Sequence, residues 1–516
     1  MTIPRLVISG STSGVGKTSI TSAIIYGLKN RGYTVQPFKV GPDYIDPSYL
    51  SSISKNETKN LDVWLMGKTE LVKSFVNSST SDISIIEGVM GYYDGFGGKT
   101  NHASTHHVAT LLKSPVILIL DASKTSRSIA ATALGFTKFH RNSRISGIIL
   151  NKIGSKKHDT LCRHALENLN IPIIGSIPKN SENILESRHL GLIPIIEQKQ
   201  LQKKIKQTAK EISNYLNFEK IIEISDNVEQ LPKIKTQKFK KAKTSIAIAL
   251  DSSFNFYYHD NIDALRREGA KIKFFSPVSD KKIPTCDCVY IGGGFPEILG
   301  KKLSQNTSMK KSIKQDAEDG VPIYAECGGL MYLTNSITHQ NQKYKMIGLF
   351  DAETEMTKKM TLNYTEGKIN SNCLISTPRK FHAHEFHYSK IHEIAKDVVV
   401  DITAQKIDDR NTRLFINVEG NITNLPFQDR HETLLRCSNG VSPAASRKAG
   451  NYFEATVQLR SIGRKLEKSE LNSLRQSLTT LIEGLPNNPM NFITKEGPVQ
   501  GGYDVVFGSK GLARSW

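Results

Sequence analysis

A glycine-rich turn with a lysine and a threonine lies near the start of the chain. The apolar run 5–8 leads into Gly-Ser-Thr-Ser-Gly-Val-Gly-Lys-Thr at 10–18, and a helical pattern of apolar residues follows. Strand, glycine-rich turn and helix in this order are typical of a loop whose backbone N–H groups bind phosphate. Lys17 then reaches the β- and γ-phosphates, and the Thr18 hydroxyl binds Mg²⁺. The predicted nucleotide-binding residues are Ser13, Gly14, Val15, Gly16, Lys17 and Thr18.

Four carboxylates follow the next two predicted strands. They lie in Lys-Val-Gly-Pro-Asp-Tyr-Ile-Asp-Pro at 39–47 and in Glu-Gly-Val-Met-Gly-Tyr-Tyr-Asp-Gly at 87–95. Ligands of parallel sheets bind at the carboxyl ends of the strands, so we expect these side chains to converge on the phosphate-binding loop. They suit Mg²⁺, which takes few protein oxygens and keeps several waters, although any of them can instead cap a turn or helix. The candidates are Asp43, Asp46, Glu87 and Asp94, with Lys39 as a partner for phosphate or a substrate carboxylate.

A second turn carries a cysteine that is a candidate nucleophile. Tyr-Ala-Glu-Cys-Gly-Gly-Leu at 324–330 reads as strand, tight turn and helix with Cys327 at the apex, and Gly-Gly-Gly-Phe-Pro-Glu at 292–297 follows another strand. This arrangement exposes a nucleophile and offers backbone N–H groups to an oxyanion. We expect the helix N-terminus to lower the pKa of the thiol. The alternative is a small core residue.

Alternating strands and helices must position these groups. The strand-like runs are 34–40, 83–87, 115–120, 146–150 and 171–177, and then 245–250, 271–275, 288–291 and 322–325. This alternation predicts two α/β regions with parallel sheets. Between them, residues 195–244 are polar and helical and end with six lysines from Lys233 to Lys243, a run typical of a solvated linker.

Composition limits the class of protein. With 516 residues, 38% apolar and 23% charged, the chain suits several globular domains. It has no run of eighteen apolar residues and no secretory leader, and its six cysteines form no Cys-x-x-Cys framework, so we expect a cytoplasmic protein without a membrane partner. The net charge of +20 lies largely in lysine-rich segments that look like surface or linker, so we expect no nucleic-acid partner.

Taken together, the motifs resemble the cobyrinic acid a,c-diamide synthase family from residue 1 to about 390. The likeness also includes Asn60-Leu61-Asp62, Asn151-Lys152 and Arg188-His189-Leu190-Gly191-Leu192. It implies a dethiobiotin synthetase-like domain that uses ATP and Mg²⁺ to phosphorylate two acetate carboxylates of a corrin ring, after which ammonia displaces phosphate. The resemblance assigns Asp43, Asp46, Glu87 and Asp94 to catalysis, Lys39 and Tyr44 to substrate, and Thr18, Asp46 and Glu87 to the metal.

The stretch 246–389 resembles the glutamine amidotransferase domain of the same family, including Asp251 and His-Glu-Phe-His-Tyr-Ser at 384–389. The resemblance implies that Cys327 attacks the side-chain amide of glutamine, forms a thioester and releases ammonia. The family ends this domain with a histidine that activates the cysteine, but after His392 this chain has only His431, in a segment that does not match. Glutamine or free ammonia is therefore the expected nitrogen donor.

From about residue 397 the chain differs in character, and the stretches 444–460 and 501–510 resemble part of the archaeal relatives of the large-subunit ribosome export adaptor. Their zinc pairs are missing here, because Cys437 stands alone. We predict an α/β fold with a P-loop domain at 1–194, a linker at 195–244, an amidotransferase-like α/β domain at 245–392 and an α+β extension at 393–516. Two alternatives are left open: the same chemistry on another tetrapyrrole such as nickel-sirohydrochlorin, and an inactive chimera or ribosome-associated protein. Whether the chain forms a homodimer is also open.

Overall fold

The structure, a computed structural model, describes ten stretches of the chain. They are residues 2–179, 199–234, 239–369, 379–392, 402–406, 413–416, 434–436, 455–460, 493–499 and 502–507. The chain divides into two compact units. Unit 1 comprises residues 1–243 and 255–270, and unit 2 comprises residues 244–254 and 271–516. The predicted domain limits near 194, 244 and 392 stay predictions.

Unit 1 contains a parallel sheet that, in the described residues, has seven strands. They are β1 (Arg5–Gly10), β2 (Val35–Val40), β3 (Lys59–Leu61), β4 (Ile83–Gly91), β5 (Val116–Asp121), β6 (Ile145–Ile153) and β7 (Ile173–Pro178). Their order across the sheet is β3-β2-β4-β1-β5-β6-β7. β1 is buried throughout and lies between β4 and β5, so the glycine-rich turn that follows it starts at the centre of the carboxyl edge.

Helices cover both faces of this sheet. They are α1 (Lys17–Lys29), α2 (Asp46–Ser54), α3 (Val63–Ser78), α4 (Thr105–Leu111), α5 (Ser128–Lys138), α6 (Lys156–Leu166), a 3₁₀ turn (Glu167–Leu169), α7 (Lys199–Ser213), α8 (Phe218–Asp226) and α9 (His259–Arg267). Alternate residues of one strand enter opposite cores: Val7 packs in one apolar cluster, and Leu6 and Ile8 pack in the other. Buried strands with apolar residues on both faces are the pattern that the continuous apolar runs predicted.

The segment interpreted as a linker contributes to unit 1. α7 and α8 bury Ile205, Ile212 and Ile221 in the same cluster as Leu6 and Ile8. The physical reason is the amphipathic pattern of these helices, which places the apolar side chains on one face and leaves the lysines outside.

Unit 2 contains three further sheets in the residues that the structure describes. Its strands up to the long hairpin are β8 (Thr244–Ala249), β9 (Ala270–Phe275), β10 (Cys288–Ile291), β11 (Ile323–Ala325), β12 (Ser336–His339), β13 (Gln342–Lys345), β14 (Glu353–Ile369) and β15 (Arg379–His392). The later described strands are β16 (Ile402–Lys406), β17 (Arg413–Ile416), β18 (Leu434–Arg436), β19 (Ala455–Arg460), β20 (Ile493–Val499) and β21 (Gly502–Phe507). The helices are α10 (Gly300–Gln305), α11 (Thr307–Glu318) and α12 (Gly328–Leu333).

One sheet of unit 2 has the order β18-β11-β10-β8-β9, in which β8, β10 and β11 run parallel. A second sheet is built around the β14–β15 hairpin, and β19, β21 and β20 form a separate small sheet. The predicted α/β fold class is confirmed. In the described part of the chain, no helix is both long and apolar enough to cross a bilayer.

Candidate functional site

The glycine-rich turn forms a loop between β1 and α1 at the centre of the sheet edge. Gly16 caps α1 with a φ of 92°, a conformation that favours glycine, and Val15 beside it is buried. The Lys17 ammonium donates to Thr12 O at 3.1 Å, within the loop. The predicted loop residues therefore lie together at a helix N-terminus, where phosphate oxygens are favoured.

A buried lysine lies among three of the predicted carboxylates. Lys39 Nζ lies 2.6 Å from Glu87 Oε1, 2.7 Å from Asp46 Oδ2 and 3.7 Å from Asp43 Oδ2. Glu87 Oε1 also accepts a hydrogen bond of 2.9 Å from Thr18 Oγ1, which joins this group to the phosphate-binding loop. We call Lys39, Asp43, Asp46 and Glu87 the acid cluster. It contains four of the residues that the sequence singled out.

Strand register explains why these side chains meet. Lys39 in β2 is the direct partner of Glu87 in β4, which is in turn the partner of Ile8 in β1. Side chains in the same row of neighbouring parallel strands point to the same face. Asp46 joins the pair because α2 begins there, shortly after β2 ends.

Burial and mutual repulsion set the protonation of the acid cluster. Burial, followed by the neighbouring Asp46 carboxylate, raises the pKa of Asp43 to about 7. Burial also raises the pKa of Glu87. Burial alone would lower the pKa of Lys39, but the carboxylates of Asp46, Glu87 and Asp43 raise it, so the ammonium stays charged.

One carboxylate oxygen of the acid cluster has no protein partner. Glu87 is fully buried, and its Oε2 makes no hydrogen bond with any residue that the structure describes. Such an oxygen costs free energy unless a cation or water contacts it. No group of three or more His, Cys, Asp or Glu side chains in those residues is arranged to hold a metal by itself.

Two other predicted site residues have different surroundings. Asp94 Oδ2 accepts a hydrogen bond from Gly91 N at 2.8 Å, so this carboxylate caps its own turn. The Tyr44 ring stacks between Phe256 and Tyr258, with ring centroids 4.8 and 4.5 Å away. Asp94 and Tyr44 stay predictions as site residues.

The end of β6 supplies contacts to the phosphate-binding loop that sequence reasoning left without a role. Asn151 Nδ2 donates to Val15 O at 2.8 Å, and Lys152 Nζ lies 3.4 Å from Gly14 O and 2.9 Å from Asp121 Oδ2. Lys152 has a φ of 60°, which is unusual for a lysine. The signal in the sequence was their position after a buried strand, at the same edge as the loop.

In unit 2, Cys327 occupies a strained turn between β11 and α12. Its φ is 47° and its ψ −111°. A Cβ on Gly329 would lie 2.2 Å from Ile291 O, so the turn packs closely against the end of β10 and requires glycine there. Strain at the residue between a strand and a helix is typical of a nucleophile elbow.

The expectation of a lowered thiol pKa is wrong for this structure. Burial, together with the nearby Glu297 and Glu326 carboxylates, raises the pKa of Cys327 to about 11. The backbone N–H groups of Gly328 and Gly294 lower the pKa of the thiol, but by less than burial and the carboxylates raise it. Loss of hydration and two nearby acids therefore disfavour the thiolate more than two backbone amides stabilise it.

Acids lie near this turn, and a strand that carries two histidines passes close to it. Glu326 accepts hydrogen bonds from the hydroxyls of Tyr290 and Tyr324, and burial raises the pKa of Glu297 to about 7. Cys327 Sγ lies 3.7 Å from Phe386 O. His387 pairs with Glu385 at 3.0 Å, and burial lowers the pKa of His384 to about 4. His431, Cys373 and Cys437 lie outside the described residues, as does the motif at 188–192.

Asp251, which belongs to the amidotransferase resemblance, has contacts that stabilise the fold of unit 2. Asp251 accepts hydrogen bonds from Ser253 N and Val278 N, at 2.8 and 2.9 Å, and so ties a turn to the chain after β9. The described cysteines are free thiols, namely Cys162, Cys286, Cys288 and Cys327.

A phosphate-binding loop next to an acid cluster, on a parallel sheet, defines a P-loop nucleotide-binding protein, here joined to an amidotransferase-like unit. Residues 6–193 match the CobQ/CobB/MinD/ParA nucleotide binding domain, and residues 245–424 match the CobB/CobQ-like glutamine amidotransferase domain. The chain is 41% identical over 391 residues to cobyrinate a,c-diamide synthase of Caldanaerobacter subterraneus, covering 75% of this chain and 86% of that protein. It is 44% identical over 399 residues to cobyrinate a,c-diamide synthase of Methanococcus maripaludis, covering 75% and 88%. The chain belongs to the cobyrinate a,c-diamide synthase family, which confirms the resemblance.

Two further comparisons concern the tail and the fold. Residues 452–516 match the family described as NMD3, second domain, which confirms the separate resemblance of the tail. Among solved structures, the chain is similar to the MinD cell division protein of Aquifex aeolicus, with a TM-score of 0.28, 16% identity and coverage of 41% of this chain and 97% of that one. It is also similar to chloroplast FtsY from Physcomitrella patens, with a TM-score of 0.27, 16% identity and coverage of 34% and 59%.

Proposed function

We propose that the chain catalyses ATP-dependent amidation of the a and c acetate carboxylates of cobyrinate, as the names of its relatives state for them. The observation that supports this most is the acid cluster around Lys39, joined by one hydrogen bond to Thr18 of the phosphate-binding loop. A nucleotide and a carboxylate substrate would there share one set of charged groups.

The chemistry follows from the weakness of a carboxylate as an electrophile. A carboxylate oxygen of the substrate attacks the γ-phosphorus of ATP, and the bond from that phosphorus to the β,γ-bridging oxygen breaks, so ADP leaves. Ammonia then forms a C–N bond with the acyl carbon, the C–O bond to phosphate breaks, and the nitrogen loses a proton. Catalysis of both steps is mainly positioning and neutralisation of charge.

We assign roles in this reaction from the contacts. The backbone of residues 13–18 and Lys17 bind the β- and γ-phosphates, and Lys39 neutralises the incoming phosphoryl oxygens or the substrate carboxylate. Four carboxylates orient the substrate and set the charge around it, namely those of Asp43, Asp46, Glu87 and Asp94. Tyr44, next to Asp43, contacts the ring substrate.

Mg²⁺ fits this site as a further cofactor. Three carboxyl groups face one ammonium, and Glu87 Oε2 is buried without a hydrogen-bond partner among the described residues. Thr18, Asp46 and Glu87 would hold the ion, which would neutralise phosphate charge. Mg²⁺ keeps several waters, which agrees with a small set of protein oxygens.

The nitrogen source depends on Cys327. The thiolate would attack the amide carbon of glutamine, ammonia would leave, and water would hydrolyse the thioester. The amidotransferase match supports glutamine as the donor when a base activates Cys327, and free ammonia serves when none does. Unpaired thiols agree with a cytoplasmic enzyme.

The test is amidation by the purified full chain. Cobyrinic acid, ATP and Mg²⁺ are supplied with ammonium or with glutamine, and products are followed by mass spectrometry and ADP release. We expect ammonium-supported diamide that disappears in Lys17→Ala. Absence of ATP-dependent amide would overturn the proposal, and amidation of nickel-sirohydrochlorin alone would redirect it to another ring.

A further inference from the structure

Residues 255–270 belong to unit 1, although in the sequence they stand between β8 and β9. They comprise a short aromatic stretch, Phe256 to Tyr258, and helix α9. The family comparison places them in the amidotransferase region, which starts at residue 245. Their contacts place them beside the acid cluster.

Polar contacts fix α9 to the β3 and α3 side of unit 1. The Asp263 carboxylate pairs with the buried Lys59 ammonium, and Asp260 Oδ1 accepts a hydrogen bond of 2.8 Å from Ser74 Oγ. His259 Nδ1 lies 3.2 Å from Glu57 Oε2, and this hydrogen bond is the main reason why the pKa of Glu57 is lowered to about 2. Three separate anchors therefore hold the start of α9 in place.

The aromatic stretch packs on the loop that carries the acids. Phe256 and Tyr258 stack on Tyr44, at interplanar angles of 10° and 25°. The Tyr258 hydroxyl donates a hydrogen bond of 3.1 Å to Pro42 O. Tyr258 therefore contacts the loop twice, through its ring and through its hydroxyl.

Side chains hold three consecutive carbonyls of this loop. Asn60 Nδ2 donates to Gly41 O and Asp43 O, at 2.9 and 2.8 Å. The Tyr258 hydroxyl donates to the carbonyl between them, Pro42 O. Asp43 Oδ1 accepts from Ile45 N at 2.8 Å and so closes the turn itself. The loop between β2 and α2 thus depends on Asn60 and Tyr258 for its conformation.

We propose that Phe256 and Tyr258 are positioning residues of the carboxylate-activating site. They hold Tyr44 and the 42–46 loop in the conformation in which Asp43 and Asp46 meet Lys39. Small displacements of groups around a reacting centre cost large factors in rate, so this support matters for the reaction. The inference rests on the proposed amide-forming function.

The experiment compares Tyr258→Phe, which removes only the hydroxyl, with Tyr258→Ala, which also removes the ring. Tyr215→Phe and Tyr215→Ala are matched controls, because Tyr215 is exposed on the turn between α7 and α8. Hydrogen exchange of the amides at 43–46 is measured in the ligand-free full chain, and KM values for cobyrinic acid and ATP are measured with ammonium as donor.

We expect Tyr258→Phe to raise the KM for cobyrinic acid about threefold to tenfold, as the loss of one hydrogen bond implies. Tyr258→Ala should raise the KM for cobyrinic acid further and lower kcat, while the KM for ATP stays within about twofold, because Tyr258 acts through its contacts with Tyr44 and Pro42. Exchange at 43–46 should be faster in both variants and unchanged in the Tyr215 controls.

Wild-type exchange at 43–46 in Tyr258→Phe, together with an unchanged KM for cobyrinic acid, would overturn the proposal, even if Tyr258→Ala failed to fold. Equal increases of the KM values for cobyrinic acid and ATP would also overturn the proposal, since they would indicate general damage to unit 1. If the wild-type chain formed no amide, the proposed function would fail, whereas the exchange measurement would still decide whether Tyr258 holds the loop.

Discussion

The acid cluster of unit 1 and the thiol turn of unit 2 differ in how their charges are arranged. In the acid cluster, one ammonium lies among three carboxylates and next to a phosphate-binding loop. At the thiol turn, Cys327 lies near Glu297, which is buried, and Glu326, which is half-buried, and both carboxylates oppose its ionisation. The first arrangement is ready for a cation and phosphates, whereas the second keeps its nucleophile protonated. Amide formation is therefore expected to depend on unit 1 more than on glutamine hydrolysis.

The largest loss of activity is expected from Glu87→Gln, which tests the role of the acid cluster. The change removes the charge that joins Lys39 to Thr18, so ammonium-supported amidation should fall about 10²–10³-fold. Glu70→Gln, at an exposed ion pair with Lys73, is the control and should be neutral. Activity within about threefold of wild type in Glu87→Gln would contradict the central role of the acid cluster.

Cys327→Ala tests whether the two sites are separable. We expect ammonium-supported amidation within about twofold of wild type, and complete loss of any glutamine-supported amidation, because only the latter needs the thiolate. Cys288→Ala replaces another half-buried thiol and should change neither rate. A loss of the ammonium-supported rate in Cys327→Ala would show that the sites are not independent.

The pH dependence of alkylation tests the raised thiol pKa. With a pKa of about 11 for Cys327, only about one thiol in a thousand is ionised at pH 8. Labelling by iodoacetamide, followed by mass spectrometry of the peptide, should rise about tenfold per pH unit from pH 7 to 10. A plateau near pH 8 would reveal a base that activates the thiol, and the contrast between the sites would disappear.

The smallest effect concerns the pH dependence of stability at Asp43. Because its pKa is raised to about 7, the folded protein holds a proton that the unfolded chain releases between about pH 4 and 7. The free energy of unfolding should therefore fall as pH rises through this window, and Asp43→Asn should flatten the slope. Urea unfolding at several pH values, without metal ions, measures this change in the free energy of unfolding. Asp82→Asn is the control, since the pKa of Asp82 is lowered and its titration lies below the window.

Much of unit 1 could be predicted from the chain because its signals are local. The buried strands are short apolar runs, and the phosphate-binding loop follows one of them directly. Asp94 stays a prediction, since its motif matches and its carboxylate accepts a hydrogen bond within its own turn. The pKa of Cys327 shows the limit of this reasoning, because burial and two glutamates outweigh the local effect of a helix N-terminus.

The sequence by itself determined the main strands that lead into both sites, the phosphate-binding loop and the residue types of both sites, because these depend on neighbours in the chain. The tertiary structure decided that Lys39 lies opposite Glu87, that α7 and α8 complete a core, and that Phe256 and Tyr258 support a loop more than two hundred residues away. The physical reason is that register, burial and electrostatic coupling depend on which distant segments pack together, and no local pattern encodes that.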